Sequence, residues 1–512
     1  MPSVRSYFFP WSLFLLSFIL RLSFLSKGPY HLDCLGITIT AVQNIQEGKF
    51  NLYHGLGYPL YSLLTTIFVF LGQRLSLPEP VLAVNFMNVF FGALCVFPFY
   101  FLSSKLFNPG TAFFATGLLT FSPINLVTST YGNSHIASLF FLLVSASFLL
   151  KYLEDSSHFS LLLSGLSLGC SASIRLQDTV LIVLPLGLLL WSQSSQVSPG
   201  KNLSKAKAFV LWTASAGGVI IFFYTLFLWQ SQTVAHSSFQ FLRSNISYLF
   251  SGFTPKGIHI TSLCLIANFS LGGLLVAAVG AGLIRKQDRK KFFFLMSWAI
   301  VPFLFACSLI LVTHRYLSTM IIPVLIMQGY ALARFFWSTS KGFRFAAIAA
   351  FTLLCTSSFW RCYPALVLRH HNAVSPDYGA WIGLHTEPNA VIITGDDYLF
   401  IQHYGRREIL PHIVTDHDSC LRYPNRKQEL LAYKNHLEDL MNRGIPVYAT
   451  FLGLHADNKE EYFYKFIREF YNLDFVGTAY LDLWHRGDLK PSILENDLVK
   501  LTRKSFPAPS GH

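Results

Sequence analysis

The sequence predicts a polytopic α-helical membrane protein carrying a small C-terminal α/β soluble domain. Three observations predict it. Hydrophobic residues make up 52% of the 512 and charged residues 13%, with a mean hydropathy of +0.44, which excludes an ordinary soluble globule. Apolar runs near the ~18–20 residues needed to cross a bilayer recur through residues 1–370 and then stop. Charge divides at the same place: residues 1–370 hold 24 Lys+Arg against 7 acids, while residues 371–512 hold 15 against 19. The net +13 therefore belongs to the loops between spans and gives no sign of nucleic-acid binding.

Taken in order, the spans fall at 7–25, 81–102, 111–128, 135–153, 159–173, 179–191, 208–229, 260–284, 292–313, 316–336 and 345–366, about eleven in all. The first has a basic residue and an apolar stretch without a small-residue cleavage site, so it is expected to remain uncleaved. Basic clusters at Lys201/Lys205/Lys207, Arg285 to Lys291 and Lys341/Arg344 mark cytoplasmic loops by the positive-inside rule. Counting from them puts Lys105 inside and Asp33, Tyr131 to His135, Arg175, Arg315 and the tail outside. The count closes if the short apolar piece 58–71, opened by Tyr58-Pro59, is re-entrant or interfacial rather than a crossing.

Residues 371–512 differ in kind. Strand-length apolar runs at 390–394, 446–451 and 475–480 alternate with amphipathic helix patterns at 426–442 and 459–471, the pattern of an α/β domain. Gly395-Asp396-Asp397 follows a strand, where such domains place ligands, yet Gly-Asp is ordinary turn chemistry and is read as a turn. The tail is expected to recognise an acceptor or cover the site, with Trp381 and Tyr398 among its contacts to the membrane part. Of eight cysteines, Cys95, Cys170, Cys264, Cys307 and Cys355 lie within apolar spans as packing residues, and Cys34, Cys362 and Cys420 lie where an oxidising space is expected.

The chemistry starts at Asp33, the first acid of the chain, at the exit of span one. An ionisable group at a membrane boundary carries a desolvation cost and marks a site unless it is a solvated loop residue. Gly48, Asn51 and then His54-Gly55-Leu56-Gly57-Tyr58-Pro59-Leu60-Tyr61 follow it. Here the chain resembles the GT-C superfamily of polytopic glycosyltransferases, above all the protein O-mannosyltransferases and the lipid A aminoarabinose transferases. In that superfamily the first outside loop holds an acid, followed by a Pro-Pro-Leu or Gly-Tyr-Pro-Leu motif. Phe121-Ser122-Pro123-Ile124 with Thr130-Tyr131-Gly132, Gly165-Leu166-Ser167-Leu168-Gly169 leading to Arg175, and Arg315-Tyr316-Leu317 with Pro323 continue the likeness over most of residues 1–370. One departure is that Asn133 and His135 stand where several members place a second acid.

The resemblance implies transfer of a sugar from a polyprenyl-phosphate donor to a lipid, envelope-glycan or protein acceptor at the outer face of a bacterial inner membrane. Asp33 is then the catalytic base, which must lie within ~2.6–3.2 Å of the acceptor hydroxyl. Arg175 and Arg315 bind the donor phosphate, whose charge grows as it leaves. His31, His54, Tyr58, Tyr131, Asn133 and His135 are candidates for acceptor or auxiliary contacts. Both arginines have a competing role as interfacial snorkels, and Asp178 at i+3 offers Arg175 a structural pair. Arg21, inside span one, reaches for the interface or an internal partner. With one acid near these histidines no metal or other cofactor is expected. The rival readings are a transporter or flippase of lipid-linked sugars, which would put its charges near the midplane and repeat its halves, and a polymerase of lipid-linked oligosaccharides.

Overall fold

A computed structural model describes residues 5–53, 58–193, 204–230, 253–309, 313–411, 426–455, 462–482 and 489–504. Contacts divide the chain into two units: Met1–Lys27 with Ile37–His371 and His485–Pro491, and Gly28–Gly36 with Asn372–Trp484 and Ser492–His512.

The first unit is helical. Among the described residues, seven helices have the length and composition to cross a membrane: Pro80–Leu106, Ser134–Asp155, Lys205–Leu226, Pro255–Gln287, Arg289–Ser308, His314–Phe336 and Lys341–His371. Three shorter apolar helices, Phe8–Leu22, His158–Ile174 and Leu176–Trp191, account for three more of the expected spans. The remaining expected span, 111–128, is not one helix. It breaks at Ser122 (φ −58°, ψ 123°) between Pro109–Phe121 and Pro123–Thr128. Pro123 has no N–H to continue the ladder, and its ring pushes the preceding residue out of the helical region. The sequence count of about eleven thus counted apolar runs, not unbroken helices. The piece expected not to cross is the 16-residue helix Pro59–Arg74, preceded by Tyr58 in the left-handed region (φ 64°, ψ 46°). For an aromatic residue that backbone is strained and persists only when surroundings hold it.

Close packing in this unit uses small residues. A Cβ at Gly165 would lie 2.5 Å from the Trp212 carbonyl oxygen and one at Gly169 2.6 Å from that of Ala216, so His158–Ile174 meets Lys205–Gln230 backbone to backbone. Serines lace the same helix to Ser134–Asp155, with Ser138 Oγ 3.0 Å from Ser171 Oγ and Ser145 Oγ 3.3 Å from Ser164 Oγ. An apolar core beside them draws Ile37, Leu60, Tyr61, Met87, Ile136 and Ile174 from five helices. The helix Pro255–Gln287 breaks at Ser270 (φ 61°, ψ 162°), whose hydroxyl caps Gly273 N–H at 3.0 Å, while Arg361 donates to the carbonyl of Ala267 at 3.1 Å. Arg21 finds an internal partner, donating through Nε to Ser129 Oγ at 2.8 Å.

The second unit holds a five-stranded sheet of β1 (Val391–Thr394), β2 (Glu408–Pro411), β3 (Val447–Thr450), β4 (Tyr471–Asp482) and β5 (Ile493–Arg503), in the order β2-β1-β3-β5-β4. β1 runs parallel to β2 and β3, and β5 runs antiparallel to β3 and β4. Val391, Ile393, Val447 and Ala449 bury the sheet against Leu437 and Leu440 of one helix and Phe463 and Ile467 of another. The expected strand 475–480 starts earlier, at Tyr471, directly after the helix Tyr462–Phe470. Asp397 is not a solvated turn residue: it is fully buried, accepting from Tyr378 Oη at 2.5 Å, Asn496 Nδ2 at 3.1 Å and Gly395 N–H at 2.9 Å. Burial pushes its carboxyl up from the ordinary carboxylate range, against the pull of these hydrogen bonds.

Candidate functional site

The helix His158–Ile174 stops because Arg175 adopts an extended backbone (φ −158°, ψ 93°), and the next helix begins at Leu176. Arg175 therefore stands in the joint between two helices with its guanidinium turned into the first unit. Three groups hold it. Nε donates to Asp178 Oδ1 at 3.2 Å, one terminal nitrogen to Tyr58 Oη at 3.1 Å, and the other to Gln177 Oε1 at 3.2 Å. The strained Tyr58 is thus tied down through its hydroxyl.

Arg315 arrives from elsewhere in the chain, on the 3₁₀ turn His314–Leu317 that precedes Ser318–Phe336. Both guanidinium carbons face one ring: Arg175 Cζ is 5.6 Å and Arg315 Cζ 5.9 Å from the centre of Tyr316. A third group joins them, since the His135 ring packs edge-on against Tyr316 at 5.7 Å, with Nδ1 3.7 Å from Asp178 Oδ2. His135, Arg175, Asp178 and Arg315 are all buried. Like charges held together out of water repel, and the negative face of the Tyr316 ring offsets part of that cost. Two guanidinium groups, from distant parts of the chain, thus meet at one aromatic ring beside the Asp178 carboxylate. Chemically the cluster is suited to an anion.

The loop leading to His135 is fixed from the helix Pro80–Leu94. Asn88 Nδ2 donates to the Tyr131 carbonyl at 2.6 Å, and Asn85 Oδ1 accepts from Gly132 N–H at 2.7 Å. Tyr131 is fully buried. Asn133 uses its side chain to cap the helix Ser134–Asp155, accepting from His135 N–H at 2.9 Å, and donates to the Thr128 carbonyl at 3.0 Å. On the far side Asn268 Nδ2 lies 3.2 Å from His314 Nδ1, next to Arg315.

His31 and Asp33 belong to Gly28–Gly36, within the second unit. Asp33 stands in the first turn of the helix Leu32–Glu47, where the helix N-terminus favours a carboxylate. Its N–H donates to His31 Nδ1 at 2.9 Å, and its Oδ2 lies 3.3 Å from the same nitrogen. The His31 side chain is 2% exposed and that of Asp33 38%. His54 lies outside the described residues, as does Cys420.

Sequence reasoning passed over Tyr316, Gln177, Asn85 and Asn88 as site residues and weighed Asp178 only as a competitor. Two signals were present: Arg175-Leu176-Gln177-Asp178 gathers polar groups between two apolar helices, and Asn85 and Asn88 share one face of an apolar helix at i,i+3.

Residues 59–228 match the family described as dolichyl-phosphate-mannose-protein mannosyltransferase. No curated protein matches the chain. Solved structures do. ArnT from Cupriavidus metallidurans, bound to undecaprenyl phosphate, superposes with a TM-score of 0.62 at 12% identity, covering 98% of each chain. AglB, an oligosaccharyltransferase from Archaeoglobus fulgidus in complex with an inhibitory peptide and a dolichol-phosphate, gives 0.56 at 13% identity, over 93% of this chain and 74% of that one. The arabinofuranosyltransferase AftD from Mycobacteria gives 0.53 at 14% identity, over 96% of this chain and 41% of that one. The chain has the polytopic helical membrane fold of these structures, with a small C-terminal domain.

Proposed function

We propose that this protein is an integral-membrane glycosyltransferase that moves a sugar from a polyprenyl-phosphate donor to a lipid, envelope-glycan or protein acceptor. One observation carries the reading: Arg175 and Arg315, from distant parts of the chain, converge on the ring of Tyr316 in a buried cluster. A lipid phosphate needs such donors most when the glycosidic bond breaks and its charge increases. The family match over 59–228 and the lipid phosphates bound by ArnT and AglB support the same chemistry.

In this reaction the acceptor hydroxyl attacks the anomeric carbon and loses its proton to Asp33, whose carboxylate sits at a helix start. The bond from that carbon to the phosphate oxygen breaks, and the electron pair leaves with the lipid phosphate toward Arg175 and Arg315. The residues 371–512 act on the outer side of the membrane, the bacterial inner membrane, by recognising acceptor or covering the site.

The test is to identify the lipid-linked sugar that accumulates when the protein is absent, then to follow its transfer by purified protein. Asp33→Asn keeps the shape and removes the base, and should abolish transfer. Full transfer by that variant overturns the role of Asp33. A fusion after Leu368 to a reporter active only in the cytoplasm should be silent, and a strong signal overturns the sidedness.

A further inference from the structure

The chain passes from the first unit to the second at Lys27 to Gly28 and again at His371 to Asn372. Within the first unit the two passages are fastened to each other. Lys27 N–H donates to the Arg369 carbonyl at 3.0 Å and Lys27 Nζ to the His371 carbonyl at 3.0 Å, while His370 Nδ1 lies 3.0 Å from the Leu25 carbonyl oxygen. Within the second unit, Gly28 lies against the start of the helix Val374–Leu384. A Cβ at Gly28 would stand 3.0 Å from Pro376 Cγ, 3.1 Å from its Cδ and 3.7 Å from Ala373 Cβ.

Both sides of this contact are held firmly. Pro376 belongs to the first turn of its helix, where a missing N–H costs no hydrogen bond. That helix is tied to the sheet, because Tyr378 Oη donates to the buried Asp397 and accepts from Asn496 Nδ2 of β5 at 2.7 Å. On the other side, every residue of Gly28–Gly36 except Asp33 is buried. A close-packed segment transmits a shift at one end to the other. Asp33 stands a few residues beyond Gly28, in the first turn of Leu32–Glu47.

We propose that the second unit positions the base: Pro376 and Ala373 buttress Gly28 and thereby set where the Asp33 carboxylate stands. Pro376 is a positioning residue and touches no reacting atom. The inference rests on the transferase reading above, with Asp33 as its base. Arg175 and Arg315 belong to the first unit, so a shift at Gly28 impairs proton removal and spares the binding of lipid phosphate.

The test is a double-mutant cycle in the full chain. Gly28→Ala adds a methyl group against Pro376 Cγ and Cδ, and Pro376→Ala removes those two atoms. Two quantities are read on purified protein in detergent. One is affinity for undecaprenyl phosphate. The other is consumption of the lipid-linked sugar in solubilised membranes of cells lacking the protein, which hold donor and acceptor together. A misplacement of about 1 Å at a reacting centre can cost ~10²-fold, so the smaller shift from Gly28→Ala should slow consumption about tenfold and leave affinity unchanged. In the Pro376→Ala background the same substitution should change consumption by less than about twofold. No loss in either background, or equal losses in both, overturns the inference and leaves the transferase reading standing. A parallel loss of affinity in a protein that melts normally also overturns it, since the segment would then serve donor binding.

A cross-link keeps the question answerable if Gly28→Ala fails to fold. The 3.7 Å between Cβ positions at 28 and 373 suits a disulfide. Gly28→Cys/Ala373→Cys/Pro376→Ala should therefore cross-link on oxidation and consume the lipid-linked sugar equally with and without reductant. Failure to cross-link, or a loss on cross-linking that reductant restores, overturns the inference. If the unsubstituted protein neither binds undecaprenyl phosphate nor consumes a lipid-linked sugar, the transferase reading falls and the inference with it.

Discussion

Asn88 donates its side-chain amide to the backbone carbonyl of Tyr131 at 2.6 Å, and the same nitrogen lies 2.9 Å from the carbonyl of Asn133. A side chain deep in an apolar helix thus organises the backbone that delivers His135. Tyr61 in turn donates to Asn88 Oδ1 at 3.2 Å, which fixes the direction of the amide. Replacing Asn88 by Leu leaves two buried carbonyls without their donor. The expected cost is about 1–3 kcal/mol, read as a lower unfolding temperature in detergent. Unchanged melting would mean that the loop is held by other contacts.

Helix contact at Gly169 leaves no room for a side chain. Gly169→Val would drive methyl groups into the Ala216 carbonyl, already 2.6 Å from a bare Cβ, and into Val219 at 2.7 Å. Overpacking of this kind typically costs ~1–3 kcal/mol. The displaced helix is the one that ends at Arg175, so binding of polyprenyl phosphate should weaken along with stability. Gly217→Ala and Gly218→Ala, where nothing lies within 4 Å of the added Cβ, are the controls and should melt no lower than the unsubstituted protein, since alanine favours a helix interior over glycine.

The two arginines were legible in the sequence because each ends or opens an apolar run, where a charge stands out. Their meeting at Tyr316 was not legible, since it depends on how helices far apart in sequence pack. The break at Ser122 follows from Pro123, but the break at Ser270 has no proline and is held by tertiary partners such as Arg361 and Gln328, which donates to the Gly273 carbonyl at 2.9 Å. β5 went unread for a different reason. Glu495, Asn496, Asp497 and Lys500 look like loop composition, yet a sheet with one wet face accepts them, and Asn496 turns inward to Asp397. Asp397 read as turn chemistry because local sequence carries no trace of Tyr378 and Asn496 closing over it.

Neither Arg315 nor Arg175 should tolerate lysine. Lysine keeps a charge but loses the planar fork and the stacking on an aromatic ring. Arg175→Lys forfeits at least two of three hydrogen bonds, to Asp178, Tyr58 and Gln177, so it should lower stability as well as affinity for undecaprenyl phosphate. Arg315→Lys should lower affinity for undecaprenyl phosphate by roughly tenfold or more, the worth of one charge-assisted contact. Unchanged affinity for undecaprenyl phosphate in either variant would contradict that arginine's role toward the phosphate.

The second unit carries a pH-sensitive contact of its own. Glu387 accepts from Lys500 Nζ at 2.7 Å and from Tyr448 Oη at 2.6 Å, and Tyr448 and Lys500 are directly opposed on β3 and β5. Partial burial works to raise the Glu387 carboxyl, but the hydrogen bonds from Lys500 and Tyr448 outweigh it and hold the group at about 2 instead of 4.5. The same contact raises Lys500. A carboxylate depressed in the folded state contributes stability that is fully present above its unfolded value and is lost as pH falls through its folded one. The window therefore runs from 4.5 down to about 2. Because the pair is well exposed, solvent screens it and the effect is small. Melting of the full chain should fall across that window, and part of the fall should vanish in Glu387→Gln, which also starts less stable at neutral pH. If the variant and the unsubstituted protein lose stability in parallel over the whole window, the clamp between β3 and β5 contributes nothing and acid sensitivity resides elsewhere.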